Sequence, residues 1–201
     1  MTPQVTVLSA FNLRLNMLSG ALREFVRIMT DSFKPEDCDA MISLVDSIPI
    51  VTCKGRNRED KVAKEITSKG YYSTKNMYYY GMKLHVVGHR RKKTLPFPEI
   101  IALTDASEND LTVFKRECMP YLQGKTIFGD KIYNDLSYFN DACPTTMFTP
   151  FKQVKGEAEV IRQREKAARD LLSTAVSNIR QPIEAFFNWL NEKQKFKEHR
   201  K

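Results

Sequence analysis

Residues 127–135 read IFGDKIYND, and this stretch decides the fold because its short apolar run must join a sheet that begins far upstream. Ile127 and Phe128 predict a buried strand, and Gly129 leaves room for a ligand or a neighbouring backbone to come close. Asp130 then has two interpretations. It is either a turn residue or a carboxylate that a buried strand carries to a working position.

The other expected strands include a β-hairpin. Residues 78–87 read YYYGMKLHVV, alternate, and are rich in β-forming residues. We expect residues 89–93 to form the turn and residues 97–103 to form the returning strand. Residues 41–45 predict an earlier strand, which Asp46 ends or interrupts. Pro49 follows closely and should limit the pairing of this strand. Residues 146–149 predict one more short strand.

Helical patterns lie between and around these strands. Residues 8–29 predict amphipathic helices that end before Lys34-Pro35, and residues 107–110 (SEND) predict a capped helix start. Asn134 or Asp135 is expected to cap a further helix. A long helix should follow Glu157, and Pro182 should kink it or mark a second helix.

The alternation of strands and helices predicts an α/β fold with a mixed sheet covered by helices. The hairpin supplies antiparallel strand pairs, and the helical crossovers supply parallel ones.

Three carboxylates follow from this arrangement. If the strands before Asp46 and Asp130 are parallel neighbours, both acids lie at one carboxyl edge of the sheet. Glu184 borders the apolar face of the last helix, and Arg180 precedes it by four residues, where it could hold the carboxylate or meet a DNA phosphate. Hard oxygen ligands from several elements suit paired Mg²⁺ or Mn²⁺ ions. Taken singly, the same residues read as a turn acid and a surface ion pair.

Charge favours a polyanionic partner. The chain has 32 basic and 24 acidic residues, a net charge of +8 and a pI near 9.3. Clusters of basic side chains could contact phosphates or form a solvated face; they are Arg56, Arg58, Arg90, Arg91, Lys92, Lys93 and the C-terminal lysines and arginine. Tyrosines between residues 71 and 80 could stack on bases or pack in the core. We expect four reduced cysteines, no signal peptide and no membrane span.

Several motifs in order carry a family resemblance. They are LVDSIPIVTCKGRNR (44–58), SKGYYSTKNMYYYGMKLHVVG (68–88), LTDASENDL (103–111), IFGDKIY (127–133), TPFK (149–152) and IRQPIEAFFNWL (179–190). Over about residues 38–193, the chain resembles the DDE transposases of bacterial insertion sequences. The resemblance implies a ribonuclease-H-like mixed sheet of about five strands flanked by helices. We therefore expect an N-terminal helical segment (1–37), a catalytic domain (38–193) and a basic tail (194–201).

The resemblance also implies a site and a reaction. Asp46, Asp130 and Glu184 would bind two Mg²⁺ or Mn²⁺ ions, which activate water to nick DNA and then activate the freed 3′-hydroxyl to attack target DNA. Arg180 matches the arginine of the family's glutamate helix, and we expect it and Lys131 to contact DNA. Many relatives carry tyrosine and lysine at the positions of Ser177 and Asn191.

The expected partner is double-stranded DNA, both element ends and target, bound by a homodimer in a cytoplasmic, nucleoid-associated complex. The short segments before Asp46 and after Lys193 predict a truncated copy of such a transposase. A non-catalytic DNA-binding remnant and a ribonuclease-H-like nuclease remain alternatives. His85 is expected to be a packed strand residue, and Asp110 to start a helix.

Overall fold

The computed structural model describes residues 24–54, 66–140, 143–153 and 156–194, together with residues 18 and 21. The chain divides into two compact units, Met1–Glu36 and Asp37–Lys201. In the first unit, residues 24–32 form helix α1, which ends before Lys34-Pro35 as the sequence predicts. The second unit contains the sheet and all three predicted acids.

Six strands form one mixed sheet. In chain order they are β1 (Cys38–Lys54), β2 (Ser68–Tyr72), β3 (Met77–Arg91), β4 (Phe97–Asp105), β5 (Thr126–Phe128) and β6 (Thr146–Phe148). On one side, β3 pairs antiparallel with β1; on the other, β2 and β4 pair with successive parts of β3. β1 is parallel to β5, and β5 is parallel to β6. The sheet is therefore five positions wide, which confirms the predicted mixed sheet of about five strands.

Helices pack on both faces of the sheet. Helix α2 (Asp110–Val113) continues through a π-helical turn and a 3₁₀ turn, and α3 spans Glu159–Gln194. One buried cluster lies on the α2 face and comprises Val45, Val87, Phe114, Cys118, Met119, Leu122, Ile127 and Tyr133. The other lies on the α3 face and comprises Leu44, Ile48, Val86, Phe128, Val176, Ile183 and Phe187. This arrangement is ribonuclease-H-like. In the part of the chain that is described, no helix is both long and apolar enough to span a membrane.

Two strand boundaries differ from the prediction. Asp46 lies inside β1 rather than at its end, because β3 pairs with β1 as far as Lys54. Pro49 is tolerated opposite Lys83, since β5 pairs only with residues 42–44 and leaves the other side of Pro49 without a described ladder partner. The turn predicted at 89–93 is also wrong in part: β3 continues to Arg91, and the turn occupies residues 92–94.

Helix boundaries shift as well. Asn109, not Ser107, caps α2, and its side-chain oxygen accepts hydrogen bonds from the backbone of Leu111 and Thr112. The helix expected after Asp135 is only a turn at residues 136–138. The second helix suggested at Pro182 is absent from the described residues 159–194, which form one helix. Burial of side chains before and after Pro182 holds that helix against the sheet and offsets the lost backbone hydrogen bond.

Candidate active site

Two of the predicted acids lie on parallel neighbouring strands. β1 and β5 are in register with Ile42 opposite Thr126 and Leu44 opposite Phe128. Asp46 lies two residues after Leu44, and Asp130 lies two residues after Phe128. The conditional prediction that their strands are parallel neighbours is thus confirmed, and both acids project from the same region of the sheet.

Close packing fixes the turn that carries Asp130. A Cβ atom on Gly129 would lie 2.9 Å from Tyr133 Cδ2 and 2.9 Å from Val45 Cγ1, so a larger residue does not fit without a shift. Asp130 caps the 3₁₀ turn Lys131–Tyr133, because its Oδ1 accepts a hydrogen bond of 2.7 Å from the Lys131 amide. Asp130 is therefore a turn-capping residue and also a member of the acid group.

Arg180 on α3 joins all three acids. Its Nη2 atom lies 3.0 Å from Asp46 Oδ2 and 3.0 Å from Glu184 Oε1, and its Nη1 atom lies 3.7 Å from Asp130 Oδ1. The other oxygen of Asp46, Oδ1, accepts a hydrogen bond of 2.9 Å from the Ser47 amide. Arg180 Nε is buried without a hydrogen-bond partner among the described residues. The guanidinium thus uses its two terminal nitrogens to gather carboxylates from β1, the turn after β5 and α3.

Burial differs strongly among these four side chains. The Arg180 side chain is 10% exposed and that of Asp46 is 21% exposed, whereas Asp130 and Glu184 are about half exposed. Burial raises the pKa of Asp46, and the nearby Arg180 opposes that effect. Burial lowers the pKa of Arg180, but Asp46, Asp130 and Glu184 outweigh it and leave the guanidinium charged. The ion pair between Arg180 and Asp46 is therefore the desolvated one.

The chemistry of the donor set fits a divalent cation of the Mg²⁺ type. Carboxylate oxygens from three separate elements are the ligands such ions prefer. However, the described residues hold no group of three or more His, Cys, Asp or Glu side chains already arranged to bind a metal ion. Arg180 lies among the carboxylates instead. Asp46, Asp130 and Glu184 would have to exchange contacts with Arg180 for contacts with the metal.

The predicted DNA-binding residues lie in different places. Lys131 is exposed beside Asp130. It borders a cleft of about 610 Å³ whose other basic lining residues are Arg162, Lys166 and Arg169. The sheet places Arg90, Arg91, Lys92 and Lys93 four to seven residues past Val86, the β3 partner of Asp46. At this end of β3, Arg91 pairs with Cys38 and donates a hydrogen bond of 2.8 Å to Asp37. Arg56 and Arg58 lie outside the described residues.

A second charged group lies on the α2 face of the sheet. Lys83 Nζ donates to Asp110 Oδ1 at 3.0 Å and to the Glu108 carbonyl at 2.8 Å. His85 Nε2 lies 3.0 Å from Thr104 Oγ1, and the imidazole is 3% exposed. Asp110 is the first residue of α2. These contacts agree with the expectation that His85 is packed and Asp110 starts a helix, and they separate this group from the three acids.

Sequence reasoning missed two features of the site. Spacing along α3 connects Arg180 with Glu184, but the contact with Asp46 joins residues 134 positions apart, and no local pattern encodes it. The basic residues Arg162 and Lys166 were not singled out either. Their spacing of four places them on one side of α3, which was the available signal.

Comparisons with known proteins agree with this geometry at the level of family. No curated protein and no solved structure matches the chain. Residues 37–201 match the family model described as the transposase DDE domain. The matched span includes every strand of the sheet and all three acids, and at the family level it implies an enzyme of phosphoryl transfer on DNA. The chain therefore belongs to the transposase DDE domain family.

Proposed function

We propose that this chain is a DNA transposase whose Asp46, Asp130 and Glu184 bind two Mg²⁺ or Mn²⁺ ions and direct strand cleavage and transfer at insertion-sequence ends. One observation carries the proposal: carboxylates from β1, the turn after β5 and α3 all reach one guanidinium. The three segments are separated by 84 and 54 positions in the chain, and a shared metal site would require them to meet in this way.

Each residue has a distinct part in the proposed chemistry. Bound cations would neutralise charge on the phosphate and activate water or a 3′-hydroxyl. The Ser47 and Lys131 amides orient the carboxylates of Asp46 and Asp130 by hydrogen bonds to one oxygen of each. Glu184 is half exposed, so it can reach toward the solvent side of the site. Arg180, once its carboxylates bind metal, becomes available to a DNA phosphate.

DNA contacts are proposed on both sides of this centre. Lys131 is adjacent to Asp130 in the chain and lines the neighbouring cleft, so it and the basic residues of that cleft would contact the strand near its reacting phosphate. Arg90, Arg91, Lys92 and Lys93 lie at and just past the end of β3, four or more residues from the partner of Asp46, so they would contact another part of the DNA. Double-stranded element ends and target DNA are the proposed partners, bound by a homodimer.

Mg²⁺-dependent nicking of supercoiled plasmid tests the proposal. Asp130→Asn and Glu184→Gln should leave the far-ultraviolet circular dichroism spectrum unchanged and abolish nicking. Glu192→Gln is the matched control, because Glu192 is an exposed acid on the same helix, and it should nick like the parent. If Asp130→Asn nicks as well as the parent, the assignment of the site is wrong.

Two other functions would give different results. A non-catalytic DNA-binding remnant is the second candidate, because Arg180 already contacts all three carboxylates. It would bind DNA in a salt-dependent manner, would not nick, and would be indifferent to Asp46→Asn. A ribonuclease-H-like nuclease would cut DNA but would not join a 3′-hydroxyl donor to a target.

A further inference from the structure

The sheet face that carries Asp46 continues beyond the part that α3 covers. Asp46 is paired with Val86, and alternate residues of β3 on this face are Leu84, Met82, Tyr80 and Tyr78. Val86 and Leu84 pack against the cluster under α3. Farther along, Tyr78 is 58% exposed, and Tyr71, its partner on β2, is 50% exposed. This face of β3 therefore leads from the partner of Asp46 to two exposed tyrosines.

The two tyrosine rings are held in place. Their centroids are 5.1 Å apart with an interplanar angle of 57°, and the Tyr71 hydroxyl donates a hydrogen bond to Asn76. Lys69 Nζ lies 5.1 Å from the centroid of the Tyr78 ring. We call Lys69, Tyr71 and Tyr78 the tyrosine surface. It combines two exposed aromatic faces with a cation, which is the combination that binds unpaired nucleotides.

The position of the tyrosine surface relative to the acids follows from strand geometry. Tyr78 is eight residues from Val86, or about 27 Å along β3 at about 3.4 Å per residue. Tyr79, which faces the other way, is buried against the α2 side, where burial and the nearby Asp110 raise its pKa. Tyr78 and Asp46 therefore share one face of the sheet, and a strand of DNA lying at Asp46 can follow that face to the tyrosines.

We propose that the tyrosine surface binds unpaired nucleotides of the DNA strand whose phosphate lies at the acids, an inference that rests on the proposed function. Bases in a duplex hide their faces from the protein, whereas unpaired bases can stack on Tyr71 and Tyr78. Lys69 would attract the adjacent phosphate. Stacking of this kind tolerates any sequence, and the net charge of +8 favours the same partner.

Fluorescence anisotropy with an oligothymidylate of about 20 nucleotides, and with a duplex of equal length, tests this inference in the full chain. The double variant Tyr71→Ala/Tyr78→Ala should bind the single strand about thirtyfold more weakly or worse, since two stacked bases at about 1 kcal/mol each correspond to that factor. Tyr71→Phe/Tyr78→Phe keeps both aromatic faces and should bind within about twofold of the parent, because stacking needs only the π-face. Tyr121→Ala is the matched control, since Tyr121 is 66% exposed on the α2 side.

Unchanged single-strand binding by the double alanine variant would overturn the inference, and so would an equal loss for single strand and duplex. Photo-crosslinking of a bromodeoxyuridine oligonucleotide to the parent protein keeps the test independent of variant folding. Crosslinks should map to peptides containing Tyr71 or Tyr78, and crosslinks only elsewhere would refute it. Asp46→Asn separates the two proposals. If single-strand binding depends on the tyrosines while neither parent nor Asp46→Asn nicks DNA, the catalytic proposal fails and the tyrosine surface stands.

Discussion

Replacing Arg180 by methionine should destabilise the metal-free protein substantially. Methionine fills much of the same space but removes the charge that Asp46, Asp130 and Glu184 share. Asp46 would then be a partly buried carboxylate without its counter-ion. Asp130 and Glu184 would lose less interaction energy with Arg180, because both are half exposed and solvent screens their charges.

The size of the effect depends on which pair is desolvated. Breaking a buried ion pair by removing one partner costs about 3–5 kcal/mol, whereas an exposed pair contributes about 0–1 kcal/mol. Asp46 retains about one fifth of its exposure, so the lower end applies to the Asp46 pair. We therefore expect Arg180→Met to lower the free energy of unfolding by about 3 kcal/mol at neutral pH.

The loss should depend on pH with a definite sign. Burial already raises the pKa of Asp46, and removing Arg180 removes the main opposing effect. An acid with a raised pKa in the folded state binds a proton there more readily than in the unfolded state, so low pH stabilises the folded protein relative to high pH. The destabilisation by Arg180→Met should consequently be smaller at about pH 5 than at about pH 8.

Urea denaturation in the presence of a chelator measures these quantities. The double variant Arg180→Met/Asp46→Asn should recover about 1–2 kcal/mol, since the buried charge is then absent as well. Arg162→Met is the matched control on the same helix. The pair of Arg162 with Glu159 is about half exposed, so its loss should cost less than about 1 kcal/mol. Equal stability of Arg180→Met and the parent, or no recovery in the double variant, would refute the idea that Arg180 gathers the acids.

Three further outcomes are expected. Gly129→Ala should lower the free energy of unfolding by about 1–3 kcal/mol in urea denaturation, because its Cβ would press on Tyr133 and Val45; an unchanged midpoint would contradict this packing. An NMR titration should find the pKa of His85 below its ordinary value of 6.5, because burial outweighs the attraction of Asp110. His85 should therefore make the folded protein less stable as the pH falls below 6.5. A measured pKa above 6.5 would contradict this prediction. Cys118 should resist iodoacetamide at about pH 8 until urea is added, since burial raises its pKa to about 12; rapid labelling of the native protein would show that the thiol is accessible.

The sequence predicted the sheet well where local pattern and packing agree. Alternating residues identified β3 and β4 as a hairpin, and the apolar run before Gly129 identified β5. Proline misled the interpretation of β1, because Pro49 lies where only one side of the strand needs backbone partners. Pro49 needs partners on only one side because β5 is short, and the sequence around Pro49 does not reveal the length of β5.

The site was predictable in its members but not in its internal contacts. Asp46 and Asp130 follow from strand order, and Glu184 from its place at the border of an apolar stripe. The link from Arg180 to Asp46 depends on how α3 crosses the sheet. Crossing geometry arises from packing of Val176, Ile183 and Phe187, and side-chain spacing along one helix does not specify it.

The charge balance of the site connects its metal-free form to its proposed reaction. Three carboxylates and one guanidinium leave a formal charge of −2, and a DNA phosphate would add to it. Arg180 cannot neutralise the acids and bind a phosphate at full strength at the same time, because its two terminal nitrogens already contact carboxylates. Divalent cations at the acids would release Arg180 and reverse the sign of the local field. Under the proposed function, metal binding and DNA binding should therefore strengthen each other. Arg180→Met should weaken that mutual effect, because it removes the guanidinium for which the acids and the phosphate compete.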